Sequence, residues 1–410
     1  MLCTNRCRAF VVFVSNTVRC EALSARAFSV RRPAAEWEIV RAHVVVIGAG
    51  YAGAMAAKRL LRTRSDVTVT VVNPRPHFVQ RIRLHQMIAA GYDATVSFDR
   101  ALPRAAHRVF GKVTTIEAAL GRLTLDDGSV LDYDYLVYAV GSGKLPGTIA
   151  GAAEHGFSVS EFEDAVRLES RLATLDEKAA VCVVGGGLTG IETAAELAEH
   201  RSSRITLVTG GTVAPNLWER ARSAVVRTLT DLGVDIVTES RVTRIEGSSC
   251  ELAGGIRVEA ECTILATEFG VPELARRSGL PVDDLGRLKL DDRLECPSHP
   301  NIVGAGDAVA VGDLSLRMSC QAAIPLGVHA AETILHRLDG SAPRPVIPKF
   351  TGRCISLGRR RGVFQRTTRV DDATGMFIAG RGGAFVKERV CSSTTDWAVT
   401  PRRSAFYSWT

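Results

Sequence analysis

The sequence predicts an α/β fold built on two parallel sheets, and three observations support this. A β-branched run followed by a GxGxxG turn begins at Val44, and the same pattern returns at Ala179. Each copy continues into an Ala-rich segment of helical composition and then into a further strand. A lone GxGxxG is a weak signal, but two copies in this strand–turn–helix–strand context are a strong one. The predicted fold class is therefore two Rossmann-like, ββα-containing dinucleotide-binding domains with a small C-terminal segment.

The first unit spans residues 43–73. Its strand, 44–47, is uniformly β-branched, as expected of a strand buried on both faces of a parallel sheet. Gly48 permits the tight turn, Gly50 lets a pyrophosphate approach the backbone, and Gly53 lets helix and strand pack closely. Residues 51–62 then predict a helix whose N-terminus favours phosphate, and residues 67–72 predict the next strand.

The second unit repeats these features from residue 179 to residue 208. Gly185, Gly187 and Gly190 follow a strand, an Ala/Glu/Leu helix comes next, and residues 204–208 form the following strand. Two such units predict two dinucleotide sites or a duplicated domain.

Composition sets broad limits. The chain has 410 residues, 46% apolar and 23% charged, so we expect two or three globular domains. The net charge of +7 suits an acidic partner or an anionic surface, and no nucleic-acid motif accompanies it. No apolar run reaches the length of a transmembrane helix. The ten cysteines are scattered, which predicts free buried thiols and no metal site.

The first 40 residues differ from the rest, because arginines outnumber acids and the apolar run 9–14 is short. Three interpretations stay open: a disordered extension, an organellar transit peptide, or a weak signal peptide. The fold is expected to begin near Arg41.

Between and after the two units, the pattern predicts further elements. His77, Arg81, Arg83 and His85 fall on a predicted short helix, where they either line a cofactor site or form a solvated basic face. Strands are predicted at 113–118, 122–125, 134–140 and 262–266, a helix at 319–337, and short strands after residue 345.

In this order, the motifs resemble the two-dinucleotide-binding-domain flavoproteins, particularly type II NADH dehydrogenases and apoptosis-inducing-factor-like oxidoreductases. DYLVYAVGS at 134–142 and VGAGDA at 303–308 are similar to family segments beside the flavin. The resemblance implies an FAD domain (41–150 and 300–344) interrupted by an NAD(P)H domain (151–299), with an interface segment at 345–410. The implied chemistry is hydride transfer from NADH or NADPH to FAD, and then electron transfer to an acceptor.

The same resemblance implies the site residues. Those for FAD are Gly48, Gly50, Tyr51, Ala52, Gly53, Asn73, Val113, Ala139, Gly141 and Asp307. Those for NAD(P)H are Gly185, Gly187, Gly190 and Thr209. Glu192 near the nicotinamide and Gln321 near the flavin are catalytic candidates. As alternatives, Asp307 is a helix N-cap and Glu192 an ordinary first-turn acid.

The chain departs from the family pattern at several positions. Asn73 and Thr209 stand where an acid usually binds an adenosine ribose, so the choice between NADH and NADPH stays open, with Arg220 and Arg222 as candidate phosphate ligands. Pro325 and Leu326 replace a glutamine pair of the quinone-site pattern. No redox-active cysteine pair follows the first unit, which argues against disulfide reductase activity.

The functional hypothesis is an FAD-dependent NAD(P)H oxidoreductase that reduces a quinone-like or other diffusible acceptor. The alternatives are a reductase of ferredoxin or another electron-transfer protein, and a nucleotide-binding redox sensor without turnover. A cytoplasmic location, peripheral to a membrane at most, is expected. The aromatic tail residues Trp397, Phe406, Tyr407 and Trp409 are expected to cover the flavin domain rather than to contact a membrane or a second subunit of a homodimer.

Overall fold

Two mainly parallel sheets organise the protein. A computed structural model describes residues 41–144, 149–267, 269–399 and Trp409. The predictions for the first 40 residues, for Phe406 and Tyr407, and for the side chain of Trp397 lie outside the described residues.

The elements follow in chain order. The strands are β1 (Ala42–Ile47), β2 (Val67–Asn73), β3 (His77–Val79), β4 (Thr95–Ser97), β5 (His107–Phe110), β6 (Val113–Glu117), β7 (Arg122–Leu125), β8 (Val130–Asp132), β9 (Tyr135–Tyr138), β10 (Gly143–Lys144), β11 (Gly156–Ser158), β12 (Ala180–Val184), β13 (Arg204–Val208), β14 (Asp235–Val237), β15 (Val242–Ile245), β16 (Ser249–Leu252), β17 (Arg257–Glu259), β18 (Cys262–Leu265), β19 (Phe269–Gly270), β20 (Leu288–Leu290), β21 (Glu295–Cys296), β22 (His299–Gly304), β23 (Val309–Val311), β24 (Gly352–Leu357), β25 (Arg361–Thr367) and β26 (Ala373–Ala379). The helices are α1 (Tyr51–Thr63), α2 (Leu84–Ala90), α3 (Phe98–Ala101), α4 (Ala152–His155), α5 (Phe162–Ala173), α6 (Leu188–His200), α7 (Glu219–Asp231), α8 (Leu274–Arg277), α9 (Cys320–Leu338) and α10 (Gly380–Val399).

The first sheet has the strand order β21-β22-β9-β1-β2-β5. β1 is parallel to β2 and β9, and its residues 44–46 are fully buried, as the β-branched run predicts. Helices α1 and α9 pack closely, since a side chain at Gly327 would meet the backbone of Ala52. The sheet joins strands from two separate segments of the chain, 42–138 and 295–304, and β21 belongs to it although it precedes residue 300. The domain boundaries stay predictions.

The second sheet has the order β11-β18-β12-β13-β14, with every neighbouring pair parallel. Its strand–turn–helix–strand unit, β12 to β13, repeats β1 to β2. Each parallel sheet has a three-stranded antiparallel sheet inserted into its sequence: β6-β7-β8 lies between β5 and β9, and β15-β16-β17 lies between β14 and β18. The α/β class with two dinucleotide-binding units is confirmed.

The C-terminal part consists of the antiparallel sheet β24-β25-β26 and the long helix α10. Trp409 is buried, and its ring centroid lies 5.0 Å from that of Phe350 in the core of the first sheet. Trp409 therefore packs on the core of the first sheet, and the assignment of that core to a flavin domain stays a prediction.

The predicted short helix around residues 77–85 is partly wrong. His77 lies in β3, paired with Ser97 of β4, and only His85 is in an α-helix. A solvated basic face does not form, because Arg83 and His85 are buried. The segment is buried against the apolar core of the second sheet, and this burial outweighs its polar composition.

Seven cysteines lie in the described part of the chain, and all are free thiols: Cys182, Cys250, Cys262, Cys296, Cys320, Cys354 and Cys391. Among the described helices, none has the length and apolar character needed to cross a membrane. Within the same residues, no group of three or more His, Cys, Asp or Glu side chains is placed to hold a metal ion.

Candidate active site

The two glycine turns have the same backbone geometry. Gly48 and Gly185 adopt φ of +95° and +130°, a region that L side chains rarely enter. A Cβ at Gly53 would lie 1.8 Å from the Gly48 carbonyl oxygen, and one at Gly190 would lie 1.9 Å from that of Gly185. Both turns therefore need glycine for the same two steric reasons.

The middle glycine of each turn faces open space. A Cβ at Gly50 or Gly187 would meet no heavy atom within 4 Å, although both residues sit at the N-terminus of a long helix. The backbone is thus bare where a pyrophosphate would need to approach it, and the helix N–H groups point there. On this observation the residues present fit one dinucleotide at each turn.

Polar residues at the carboxyl ends of the first sheet's strands surround the first turn. The Ala49 N–H donates to Asn73 Oδ1 at 3.0 Å, and Asn73 Nδ2 donates to the Arg75 carbonyl at 2.8 Å. The Asn73 side chain therefore holds the turn in shape. Ala139 passes beside this turn, because a Cβ at Gly48 would lie 2.3 Å from its carbonyl oxygen.

Asp307 is fixed at the end of a hydrogen-bonded chain. Ser142 Oγ donates to Asp307 Oδ2 at 2.6 Å. Arg81 donates to the Ser142 carbonyl at 2.8 Å and to the Ser160 carbonyl at 2.7 Å, and its guanidinium lies 4.0 Å from Asp307. Asp307 precedes β23 and caps no described helix, so the N-cap alternative is wrong. One arginine thus connects the segment after β9 of the first sheet with the segment after β11 of the second sheet.

A single cleft joins these features to the second glycine turn. Its lining contains residues from α1, α2, α6, α9, β24, β25 and α10. Among the expected site residues and basic residues it includes Tyr51, Arg81, His85, Glu192, Asp307 and Gln321. Tyr51 contributes a buried hydroxyl without a hydrogen-bond partner in the described structure. Such an orphaned group, facing a cleft, suits a bound ligand.

Glu192 lies at the centre of a buried charged group. Its Oε1 is 2.7 Å from Lys387 Nζ and accepts the Ser356 N–H at 2.9 Å, while its Oε2 is 3.9 Å from His85 Nδ1. Helix α6 supplies the acid, and α10 supplies the lysine nearly two hundred residues later. The alternative of an ordinary first-turn acid does not hold, because Glu192 is buried and lies beyond the first turn of α6, which contains no acid.

The charges of this group follow from its burial. Burial favours the neutral acid, but Lys387 and His85 more than offset it and hold the pKa of Glu192 below its usual value. Burial would lower the pKa of Lys387, but Cys391 and Glu192 raise it above the ordinary range. Burial lowers the pKa of His85 to about 4, so at pH 7 a neutral imidazole adjoins a carboxylate–ammonium pair.

Gln321 lies at another wall of the cleft. Its Nε2 donates to Thr351 Oγ1 at 2.7 Å, and its Oε1 accepts from Arg317 at 3.3 Å. Arg317 also stacks over the ring of Phe350 at 5.5 Å. The glutamine is therefore held by Arg317, just before α9, and by Thr351, just before β24 of the C-terminal sheet.

Some candidates lie elsewhere. Val113 is buried in β6 and does not line the cleft. His77 stacks on Phe162 outside it. Arg83 is held away by Glu388, at 2.6 Å. Thr209 follows β13 and does not line the cleft; its side chain packs against Gly186 of the second glycine turn.

Sequence reasoning missed Lys387 and three thiols of the cleft: Cys320, Cys354 and Cys391. Burial raises the pKa of Cys320 to about 11 and of Cys354 to about 12, so these thiols are protonated at neutral pH. Their spacing along the chain carries no motif. Lys387 is followed directly by Glu388 and Arg389, so no local signal distinguishes it from an ordinary charged run.

Two glycine-turn units that face one cleft define the class of two-domain flavoprotein oxidoreductases. The chain matches the family model described as pyridine nucleotide-disulphide oxidoreductase over residues 42–332, and it belongs to that family. It is an oxidoreductase whose cofactors are FAD and a pyridine nucleotide.

Named relatives agree with this assignment. An NADH dehydrogenase-like protein of Mycobacterium tuberculosis is 31% identical over 321 residues, which cover 72% of this chain and 80% of that protein. Human ferroptosis suppressor protein 1 is 23% identical, with 87% and 95% of the two chains covered.

Solved structures share the fold. The sulfide:quinone oxidoreductase of Aquifex aeolicus superposes with a TM-score of 0.76 at 18% identity, covering 89% of this chain and 93% of its own. NDH2 of Plasmodium falciparum, solved in complex with NADH, superposes with a TM-score of 0.75 at 15% identity, covering 90% of this chain and 99% of its own.

Proposed function

We propose that the protein oxidises NADH or NADPH through FAD and passes the electrons to a quinone-like acceptor. The observation that carries the proposal is the shared cleft: the first glycine unit contributes Tyr51 to it, and the second contributes Leu188, Thr189 and Glu192. A flavin held from one side and a nicotinamide held from the other would meet there. The flavin supplies the hydride-accepting chemistry when bound.

The chain's own residues would then bind and orient. Gly48, Gly50 and Gly53 would hold the flavin's pyrophosphate, and Asp307, oriented by Ser142, would hold its sugar chain. Gly185, Gly187 and Gly190 would hold the pyrophosphate of the nicotinamide nucleotide. Glu192, fixed by Lys387, would position the end of that nucleotide.

A quinone-like acceptor is supported by the exposed surface beside the cleft. Met376, Ile378, Phe385 and Val390 are exposed apolar residues of β26 and α10, and Val390 also lines the cleft. Arg381 and Arg389 are exposed on the same helix. An apolar patch flanked by arginines suits the surface of an anionic membrane, where quinones dissolve. The Aquifex aeolicus neighbour acts on a quinone, as its name says.

The test is anaerobic titration of the purified, flavin-loaded protein. Either NADH or NADPH should bleach the flavin absorbance, and a quinone analogue should restore it. A preparation that takes up no FAD, or a flavin that neither nucleotide bleaches, would overturn the proposal. If only acidic electron-transfer proteins restored the flavin absorbance, at rates that fall steeply with salt, the alternative of an electron-transfer-protein reductase would be favoured. The homodimer and the cytoplasmic, membrane-peripheral location stay predictions.

A further inference from the structure

The loops after β13 and β14 meet at the carboxyl edge of the second sheet. The Thr209 N–H donates to the Val237 carbonyl at 2.9 Å, and the Ser240 N–H donates to the Thr209 carbonyl at 3.1 Å. In open parallel sheets of this topology, the adenosine half of a dinucleotide binds at this edge, next to the glycine turn. The side chains of these two loops therefore face the adenosine ribose.

Arginines, rather than an acid that ends β13, approach this edge. The Arg241 side chain lies across Gly210, since a Cβ there would be 2.8 Å from Cγ and 3.4 Å from Nε of the arginine. Arg222 of α7 lines a groove together with Thr212 and Thr238, which belong to the same two loops. Within the described part of the chain, neither guanidinium has an ion-pair partner.

Neighbouring groups define what this edge can recognise. Thr209 lies beside Gly186 of the glycine turn. Its side chain is neutral, so it offers no charge to a ribose hydroxyl. Glu239 is the acid of the loop after β14, and its N–H donates to the Gly211 carbonyl at 3.4 Å. Two unpaired guanidinium groups outweigh this single exposed carboxylate. A phosphate dianion is the group that such a pair binds best.

We propose that Arg241 and Arg222 bind the 2′-phosphate of NADPH, and that the protein prefers NADPH to NADH. This inference rests on the proposed use of a pyridine nucleotide. The preference follows from charge: each arginine gains a charge-assisted hydrogen bond with the phosphate that the 2′-hydroxyl of NADH does not provide. Glycine at 210 keeps the approach to Arg241 open.

The test measures binding without turnover. Calorimetry on the FAD-loaded protein would compare NADP⁺ with NAD⁺, and 2′,5′-ADP with 5′-AMP. We expect the phosphorylated member of each pair to bind about a hundredfold more tightly, because each of the two charge-assisted hydrogen bonds contributes about tenfold. Added salt should weaken NADP⁺ binding more than NAD⁺ binding.

Substitutions then assign the residues. Arg241→Gln and Arg222→Gln should each weaken NADP⁺ about tenfold and leave NAD⁺ nearly unchanged. Arg220, the other candidate phosphate ligand, does not line this groove. Arg204→Gln is the matched control, because Arg204 begins β13 at the opposite end of that strand and pairs with Glu259; it should change the dissociation constant of neither nucleotide.

Three results would overturn the inference. NAD⁺ could bind as tightly as NADP⁺, or the arginine variants could weaken the binding of both nucleotides equally. The third is that NAD⁺ is the tighter ligand and that Glu239→Gln abolishes its binding. If NADH still bleaches the flavin in any of these cases, the proposed function survives. If neither nucleotide binds, both fail.

Discussion

Gly50 and Gly53 belong to one motif but serve different purposes. Gly53 is required by packing, because its Cβ would overlap the Gly48 carbonyl, whereas Gly50 borders empty space at an ordinary φ of −76°. Gly53→Ala should lower the free energy of unfolding by roughly 1–3 kcal/mol, the usual cost of overpacking. Denaturant unfolding of the FAD-free protein measures this.

Gly50→Ala is the matched control. It should leave the stability of the FAD-free protein within roughly 0.5 kcal/mol and yet reduce the flavin retained through purification, since the new methyl group occupies the open space. Full flavin retention in this variant would contradict the assignment of the first turn to FAD.

The buried pair of Glu192 and Lys387 predicts an asymmetric response to substitution. Lys387→Met should cost about 3–5 kcal/mol of stability, because it leaves a buried carboxylate without its partner. The double variant Glu192→Gln/Lys387→Met should recover a large part of that loss, and chemical denaturation measures both. Equal losses in the single and double variants would show that the charge is not what matters.

His85 predicts a pH dependence in the acid range. Its pKa is lowered by burial from 6.5 to about 4, so the unfolded state binds a proton first as the pH falls. Stability should therefore decrease from pH 6.5 down to 4, by at most about 1.4 kcal/mol per pH unit. His85→Gln should flatten the profile in this interval, and an unchanged slope would count against the buried neutral imidazole.

At the scale of elements, α10 carries both a buried and an exposed function. Lys387 points into the cleft, while Phe385 is 68% exposed. Phe385→Glu should reduce co-sedimentation with anionic vesicles several-fold, because it removes apolar area and adds a like charge. Leu285→Glu is the control, since Leu285 is 64% exposed in a distant turn of the chain and should leave binding unchanged. Equal effects of both substitutions would contradict a specific docking surface.

Elements with local signals were predictable. The two glycine units, the hairpin of β6 and β7, and α9 follow from β-branched runs, turn residues and small-residue periodicity. Helix α9 even continues through Pro325, because tertiary packing against α1 compensates for one lost hydrogen bond. The long helix α10 was not predicted, since its start, Gly380 to Gly383, has low helix propensity and tertiary contacts, chiefly with β24 and β25, stabilise it.

For the whole molecule, the cofactor should act as a structural component. The apolar core of the first sheet surrounds the glycine turn that would hold FAD. The buried Tyr51 hydroxyl there has no hydrogen-bond partner in the described structure. Removing FAD should lower the melting temperature. Adding FAD at about 100 times its dissociation constant should raise the free energy of unfolding by roughly 2.7 kcal/mol. Thermal unfolding followed by calorimetry measures this. A melting temperature independent of FAD would argue against the site.

The sequence by itself determined the fold class, both glycine turns and the place of Asp307, because each depends on backbone sterics or strand periodicity that a short segment encodes. Only the tertiary structure decided which side chains share the cleft. It brought Lys387 to Glu192, separated His77 and Arg83 from Arg81 and His85, and set Arg241 beside Gly210. Those pairings join residues distant in sequence, because the packing of separate elements brings their side chains together, and no local pattern records that packing.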